Sequence, residues 1–246
     1  MMSNVMIVTG GGRGIGAATA RLAAARGYAV CINYRRERTA AEQLAKDIGR
    51  RAIAVPADVS DETDVARLFE TVDREFGAVT ALVNNAGIVD LATRFEAITA
   101  ARLQRMFAVN VFGSFFCARE AVKRMSRKRG GKGGTIVNVS SIAAKLGGPG
   151  EYVDYAAAKG AIDTLTIGLA KEVGPDGIRV NAVRPGIIRT DIHHSSGDPA
   201  RLERIGATAP LGRPGEADEV AQVIVWLASE ESSYMSGALV DVSGGR

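Results

Sequence analysis

The stretch Thr9-Gly10-Gly11-Gly12-Arg13-Gly14-Ile15-Gly16 constrains the chain more than any other. It follows Val5-Met6-Ile7-Val8, a short β-branched apolar run that reads as a buried parallel strand. It precedes Ile15, Ala18, Leu22 and Ala23, apolar residues at helical spacing, with Gly27 placed to stop the helix. The glycines therefore occupy a strand-to-helix turn. Such a turn leaves the first helical N–H groups free and presents the positive end of the helix dipole, a ready site for phosphate. A side chain there would obstruct the turn or hold a pyrophosphate away from the backbone.

Downstream, strand and helix patterns alternate. Ala29 to Asn33 reads as a second strand, Thr39 to Ile48 as a helix, and Ala52 to Val55 as a third strand closed by Pro56. Ser60 is the expected N-cap of a helix reaching Phe76, with Val65, Leu68, Phe69 and Val72 on one face. Ala81 to Val83 is a fourth strand, and Thr99 caps one long helix running through Asn110 toward Met125. Thr135 to Val139, Arg179 to Val183 and Ala238 to Val242 read as strands; Asp154 to Glu172 and Glu216 to Ser229 read as helices. Strands separated by helices imply right-handed crossovers and a parallel sheet covered on both faces. The expected fold is α/β, a Rossmann-like doubly wound sheet in a single domain over residues 1–246, with a loop at about 186–214 as a substrate lid.

Composition narrows the function classes. A formal charge of +4 is dispersed along the chain, which argues against nucleic acid and suits an anionic cofactor. The N-terminus has no signal-peptide pattern and no run approaches a membrane span, so a cytoplasmic protein without membrane contact is expected. Cys31 and Cys117 are isolated and read as buried thiols. His193 and His194 are the only histidines, and neighbours on a chain rarely converge on one metal, so no metal site is expected. The run Lys123 to Lys132 holds six basic residues and reads first as a solvated turn.

Tyr155 and Lys159 stand one helical turn apart on one face. A cation beside a phenol favours phenolate and lowers its pKa, which suits proton exchange with an alcohol oxygen. Asn138-Val139-Ser140-Ser141 ends a strand, and in an open parallel sheet ligands bind beyond the strands' carboxyl ends, where the glycine loop also opens. A serine hydroxyl at that place can hydrogen-bond a substrate carbonyl.

Together these motifs resemble the short-chain dehydrogenase/reductase family over nearly the whole chain. The matching segments are Thr9 to Gly16, Asp58-Val59, Asn84-Asn85-Ala86-Gly87, Asn110, Ser141, Tyr155 with Lys159, and Pro185-Gly186 followed by Thr190. The resemblance implies a catalytic set of Asn110, Ser141, Tyr155 and Lys159, with Asn110 holding a proton-relay water and Lys159 also bonding the nicotinamide ribose. It implies a cofactor site built from Thr9, Gly10, Gly12, Arg13, Gly14, Ile15 and Gly16; from Asp58 and Val59 beside the adenine; from Asn84, Ala86 and Gly87; from Tyr155 and Lys159; and from Pro185, Gly186, Ile188 and Thr190 toward the nicotinamide. Ser141 and Tyr155 are 14 positions apart, one more than the family usually has, which leaves Ser140 and Ser141 as alternatives with Ser141 chosen.

At the end of the second strand an acidic residue suits a ribose 2′-OH and arginine suits a 2′-phosphate. Here the chain reads Asn33-Tyr34-Arg35-Arg36, with Arg13 opposite, so NADP(H) is expected over NAD(H). The activity implied is carbonyl–alcohol interconversion on a small molecule. Similarity to 3-oxoacyl-carrier-protein reductases and to sugar dehydrogenases leaves the substrate open. An acidic carrier can meet Lys123 to Lys132, although Asp176 stands where carrier-protein reductases often place a basic residue. A non-catalytic dinucleotide sensor on the same fold is the rival reading. Family resemblance also implies a homotetramer, with Phe112, Phe115, Phe116, Ile162, Leu165 and Ile167 as surplus apolar surface.

Overall fold

The computed structural model describes residues 4–190 and 201–246. Seven parallel strands form its central sheet: β1 (Val5–Val8), β2 (Ala29–Tyr34), β3 (Ala52–Pro56), β4 (Ala81–Asn84), β5 (Gly134–Val139), β6 (Ile178–Pro185) and β9 (Leu239–Val242). Their order is β3-β2-β1-β4-β5-β6-β9, so the winding reverses between β1 and β4. Two residues each from β7 (Ile188–Arg189) and β8 (Gly215–Glu216) pair separately.

Successive residues of each strand serve opposite faces. Ile7, Cys31, Leu82, Ile136 and Val180 pack with α3 (Glu62–Phe76), α5 (Gly113–Met125) and α7 (Val153–Val173). Met6, Val8, Val30, Ile32, Val83 and Val137 pack with α1 (Gly14–Ala25), α2 (Arg38–Ile48) and α9 (Ala217–Ala228). Both faces are covered, as the unbroken apolar runs of the strands require. Cys31 and Cys117 are buried thiols on the first face.

Three local expectations change. Asp61, not Ser60, caps α3, accepting from the N–H groups of Thr63 and Asp64 at 2.8 and 3.1 Å. Ser60 instead donates its hydroxyl to Asp58 at 2.6 Å. The helix expected from Thr99 to Met125 is divided: α4 (Ala100–Phe107) passes into a π-helical turn, Ala108–Phe112, before α5 begins. The expected loop at about 186–214 contains β7 and α8 (Arg201–Gly206) among its described residues. Residues 191–200, with His193 and His194, lie outside the described residues, as does part of the expected lid.

Among the described residues no helix is long and apolar enough to cross a membrane. Of the surplus apolar residues, Phe112, Phe115 and Ile167 are exposed, Phe116 and Leu165 are half-buried, and Ile162 is in the interior. Ile162 leaves the surface set because it is fully buried.

Candidate active site

The strands' carboxyl ends open on a cavity of about 820 Å³ at the winding reversal, the place an open parallel sheet offers a ligand. One wall is the glycine loop. Gly14 has φ +52, and a Cβ on Gly16 would come within 2.6 Å of both the Asn85 amide and the Gly10 carbonyl, so neither position accepts a side chain. Behind this turn α1 begins without a side-chain cap and without an acidic residue in its first turn. Its dipole and N–H groups are therefore available to an anion.

Gly10, Gly12, Arg13, Gly14, Ile15, Tyr34, Arg35, Arg36, Asp58, Val59, Ala86, Gly87, Pro185, Gly186, Ile188 and Thr190 all line the cavity, as do Ser140, Ser141, Tyr155 and Lys159. Thr190 stands against the glycine loop, 3.1 Å from a Cβ built on Gly14. Several other expected residues hold the walls from behind. Thr9 Oγ1 accepts from the N–H groups of Asn85 and Ala86, at 2.9 and 3.0 Å. Asn33 reaches the cavity but is buried; it accepts from Gly10 N–H at 3.2 Å and donates to the carbonyls of Val55 and Ala57. Asn84 donates to Ser114 O and to Asn138 Oδ1 beneath the floor. Tyr34 is mostly buried with Ala41 and Leu44.

Asn110 lies in the π-helical turn and is fully buried. Its amide donates to Ile88 O and Met106 O, both at 3.0 Å, and its Oδ1 accepts from Ile88 N–H at 3.1 Å. The side chain thus straps the Ile88 segment to the helix and occupies a carbonyl of the preceding turn. Gly87 separates it from Lys159: a Cβ there would lie 2.7 Å from Asn110 Oδ1 and 3.5 Å from Lys159 Nζ.

Of the two serines, Ser140 is buried and donates to Lys159 O at 3.2 Å, whereas Ser141 is half-buried and hydrogen-bonds Tyr155. The added residue between Ser141 and Tyr155 falls in a segment where α6 (Ala143–Leu146) ends in Gly147 and Gly148, at φ +77 and +58. Lys159 Nζ donates to Val139 O at 2.8 Å and lies 5.6 Å from the centre of the Tyr155 ring.

The electrostatics differ from the sequence expectation at one point. Burial raises the Tyr155 pKa above its ordinary value, opposed by the Ser141 hydrogen bond. Lys159 is directed at a strand carbonyl, and its own pKa is lowered to about 8 by burial, with Asp163 one turn onward opposing the shift. Asp163 in turn accepts from Arg184 at 3.0 Å.

Two of the three arginines at the cavity's outer end are already engaged. Arg35 pairs with Asp58 at 2.8 Å and Arg13 with Glu37 at 3.7 Å, all four except Asp58 being about half exposed. Residues not singled out from sequence complete the opposite end: Asp90, Arg105, Glu151, Tyr152, Ile205 and Arg246. They belong to loops and to the ends of α4 and α8, without a recurring spacing, so only the three-dimensional arrangement brings them to the cavity. Asn85 was legible only as part of its motif; its amide donates to the carbonyls of Thr9 and Gly10 at 2.8 and 3.0 Å. Among the described residues no cluster of three or more His, Cys, Asp or Glu is arranged to hold a metal.

A family model described as enoyl-(acyl carrier protein) reductase matches residues 10–246. The uncharacterized oxidoreductase YgfF of Escherichia coli (strain K12) is 52% identical over 245 residues, covering 98% of this chain and 99% of that one. This chain belongs to the short-chain dehydrogenase/reductase family. Two solved members superpose closely. The 3-ketoacyl-(acyl-carrier-protein) reductase of Brucella melitensis, complexed with NADH, has a TM-score of 0.92 at 33% identity, with 99% and 98% of the chains covered. A blue fluorescent protein from a metagenomic library, in complex with NADPH, has a TM-score of 0.90 at 34% identity, with 98% and 97% covered. The short-chain dehydrogenase/reductase fold follows from these likenesses.

The buried lysine sets a testable pH dependence of stability. Between about pH 8 and the ordinary ammonium value of 10.5, the unfolded chain keeps a proton at Lys159 that the folded chain has released. Stability from this group therefore rises with pH across that window and is lowest below it. Lys159→Met is expected to raise Tm at pH 7 by a few degrees, with the advantage narrowing toward pH 10. Scanning calorimetry of both proteins at pH 7 and pH 10 measures it; an advantage independent of pH contradicts the buried charge.

Proposed function

We propose that the protein is an NADP(H)-dependent oxidoreductase that interconverts a small-molecule ketone or aldehyde and the corresponding alcohol in the cytosol. The convergence of Ser141, Tyr155 and Lys159 on the cavity that also receives the glycine loop carries this reading. The cavity fits a dinucleotide: its length runs from Arg35 and Arg36, past the uncapped start of α1, to Tyr155. When bound, the nicotinamide supplies or accepts the hydride. Tyr155 gives its proton to the carbonyl oxygen in reduction and takes it back in oxidation. A phenol held above its ordinary pKa is protonated at neutral pH, which suits the donating role. Ser141 hydrogen-bonds the same oxygen and steadies the phenol. Lys159, still largely charged at pH 7, orients the ribose and favours loss of the Tyr155 proton once a dinucleotide lies beside it. Asn110 acts from behind by holding the Ile88 segment.

Preference for NADPH is supported by the three arginines at the outer end. Arg36 has no ion pair among the described residues. Exposed ion pairs are weak, so a 2′-phosphate dianion displaces Glu37 from Arg13 and Asp58 from Arg35 at little cost. A carrier-bound substrate has less support. The basic run Lys123 to Lys132 sits at the amino end of β5, away from the cavity of the same chain, and Lys123, Arg124 and Lys128 pair with Glu120, Asp73 and Asp176.

Screening ketones, aldehydes, sugars and acyl thioesters for NADPH consumption tests the activity. On any substrate found, Tyr155→Phe is expected to reduce turnover to below a few per cent while NADPH affinity, read by its fluorescence, stays within a few-fold. Retained turnover removes Tyr155 from the proposed role.

The wild-type kcat/KM ratio is expected to favour NADPH over NADH by roughly ten-fold or more at low salt. Arg35→Ala and Arg36→Ala lower the NADPH value without comparable loss for NADH. A wild-type ratio favouring NADH contradicts this reading of the arginines.

The exposed Phe112 at the end of the π-helical turn, Phe115 on α5 and Ile167 on α7 support a homotetramer. Light scattering at micromolar concentration is expected to return a mass four times that of the chain; a monomer mass overturns the assignment.

A further inference from the structure

α7 starts two residues before Tyr155, and a buried ion pair fixes its first turn. Arg102 of α4 donates to Asp154 through Nε at 2.7 Å and Nη2 at 3.1 Å. The arginine side chain is 10% exposed and the aspartate side chain 0%. The third arm of the guanidinium, Nη1, donates to Leu91 O at 2.6 Å. One planar group therefore joins α4, the segment after β4 and the start of α7. These three segments contribute Arg105, Val89 with Asp90, and Glu151 with Tyr152 and Tyr155 to the inner end of the cavity.

Holding helices together does not require buried charge. A well-packed apolar pair of similar volume is often as stabilising, because both ions of a buried pair lose hydration. What the ionic fork adds is a single allowed geometry. Asp154 is also the chain neighbour of Tyr155. Burial alone would raise the Asp154 pKa, but the Arg102 hydrogen bonds and the Tyr155 N–H outweigh it and hold the carboxylate ionised.

We propose that Arg102 and Asp154 are positioning residues for Tyr155: the fork sets where α7 begins and how it is rotated, and it compensates the carboxylate carried by the residue next to Tyr155 in the chain. The proposal rests on the reading of Tyr155 as the proton-transfer residue. Other charges around the ring are Lys159 on its own helix, Glu151 just before that helix, and the Arg105–Asp90 pair from α4 and the neighbouring segment. Ser141 is the hydrogen-bonding neighbour from beyond β5. Those groups are common to all the variants below, so differences among variants report the Arg102–Asp154 pair.

The test titrates Tyr155 directly in protein labelled with [13Cζ]-tyrosine, using Tyr155→Phe to identify its NMR signal. Asp154→Asn leaves an uncompensated cation near the phenol and is expected to lower the titration midpoint. Arg102→Gln leaves an uncompensated anion and is expected to raise it, each by about half a pH unit or more. The double variant returns to the wild-type midpoint, and Arg102→Lys, which keeps the charge without the fork, stays close to it. On a substrate found by the screen, kcat is expected to fall about ten-fold or more in both single variants and in the double variant, at temperatures below every variant's Tm. NADPH affinity stays within about three-fold, because the pair is remote from the glycine loop. Opposite midpoint shifts in a protein that turns over no carbonyl support the pairing and reject the oxidoreductase reading instead. Midpoints that stay put or move in the same direction overturn the proposal, as does a double variant with wild-type kcat. If a single variant does not fold, the double variant and Arg102→Lys decide it through the same two readouts.

Discussion

Four hydrogen bonds join the glycine loop to the segment after β4, and the remainder of the site is arranged around them. Two run from backbone N–H groups to Thr9 Oγ1, and two run from the Asn85 amide to the carbonyls of Thr9 and Gly10. They span the line where the sheet reverses its winding. Helices leave β1 and β4 toward different faces there, so the strands' ends would otherwise part with unsatisfied backbone groups. Bonding the two turns to each other leaves α1's first N–H groups facing the cavity and brings Gly87 between Asn110 and Lys159. The proposed phosphate binding and proton transfer thus share one junction.

The charges follow a gradient of burial along the cavity. At the outer end Arg13 and Arg35 form ion pairs that water screens, so their partners can be exchanged. At the inner end Lys159 and Arg102 are bound to fixed oxygens, Val139 O and Asp154, where exchange is costly. Recognition of a varying ligand charge and control of a proton need these different settings. A mobile cation can follow a phosphate, whereas a proton donor must be found in the same place at each turnover.

Much of this was legible from sequence, for identifiable reasons. Strands buried on both faces are unbroken apolar runs, and the helices between them carry apolar stripes, so period alone recovered the sheet and its winding. The glycine turn and the Tyr155–Lys159 spacing were visible because local geometry demands particular residues at fixed intervals. The α3 cap was misassigned by one residue, since Ser60 and Asp61 both cap well and only the chain's path chooses. The lowered pKa expected for Tyr155 is outweighed by burial of the phenol, which residue spacing does not report. Arg102 and Asp154 are 52 positions apart, and nothing in either neighbourhood announces the other.

The π-helical turn at Ala108–Phe112 has a consequence for the division of labour along one continuous rod. Each residue of an α-helix advances the direction of its side chain by about 100°, so one residue taken up in a wider turn re-aims everything beyond it. Before the turn, Met106 packs against Ala158 and Tyr155. After it, Cys117, Ala121 and Met125 pack on the sheet. A uniform helix would have to choose a single azimuth for both neighbours. The wider turn works as an angular offset, letting one half be indexed to α7 and the other to the β-sheet without breaking the chain.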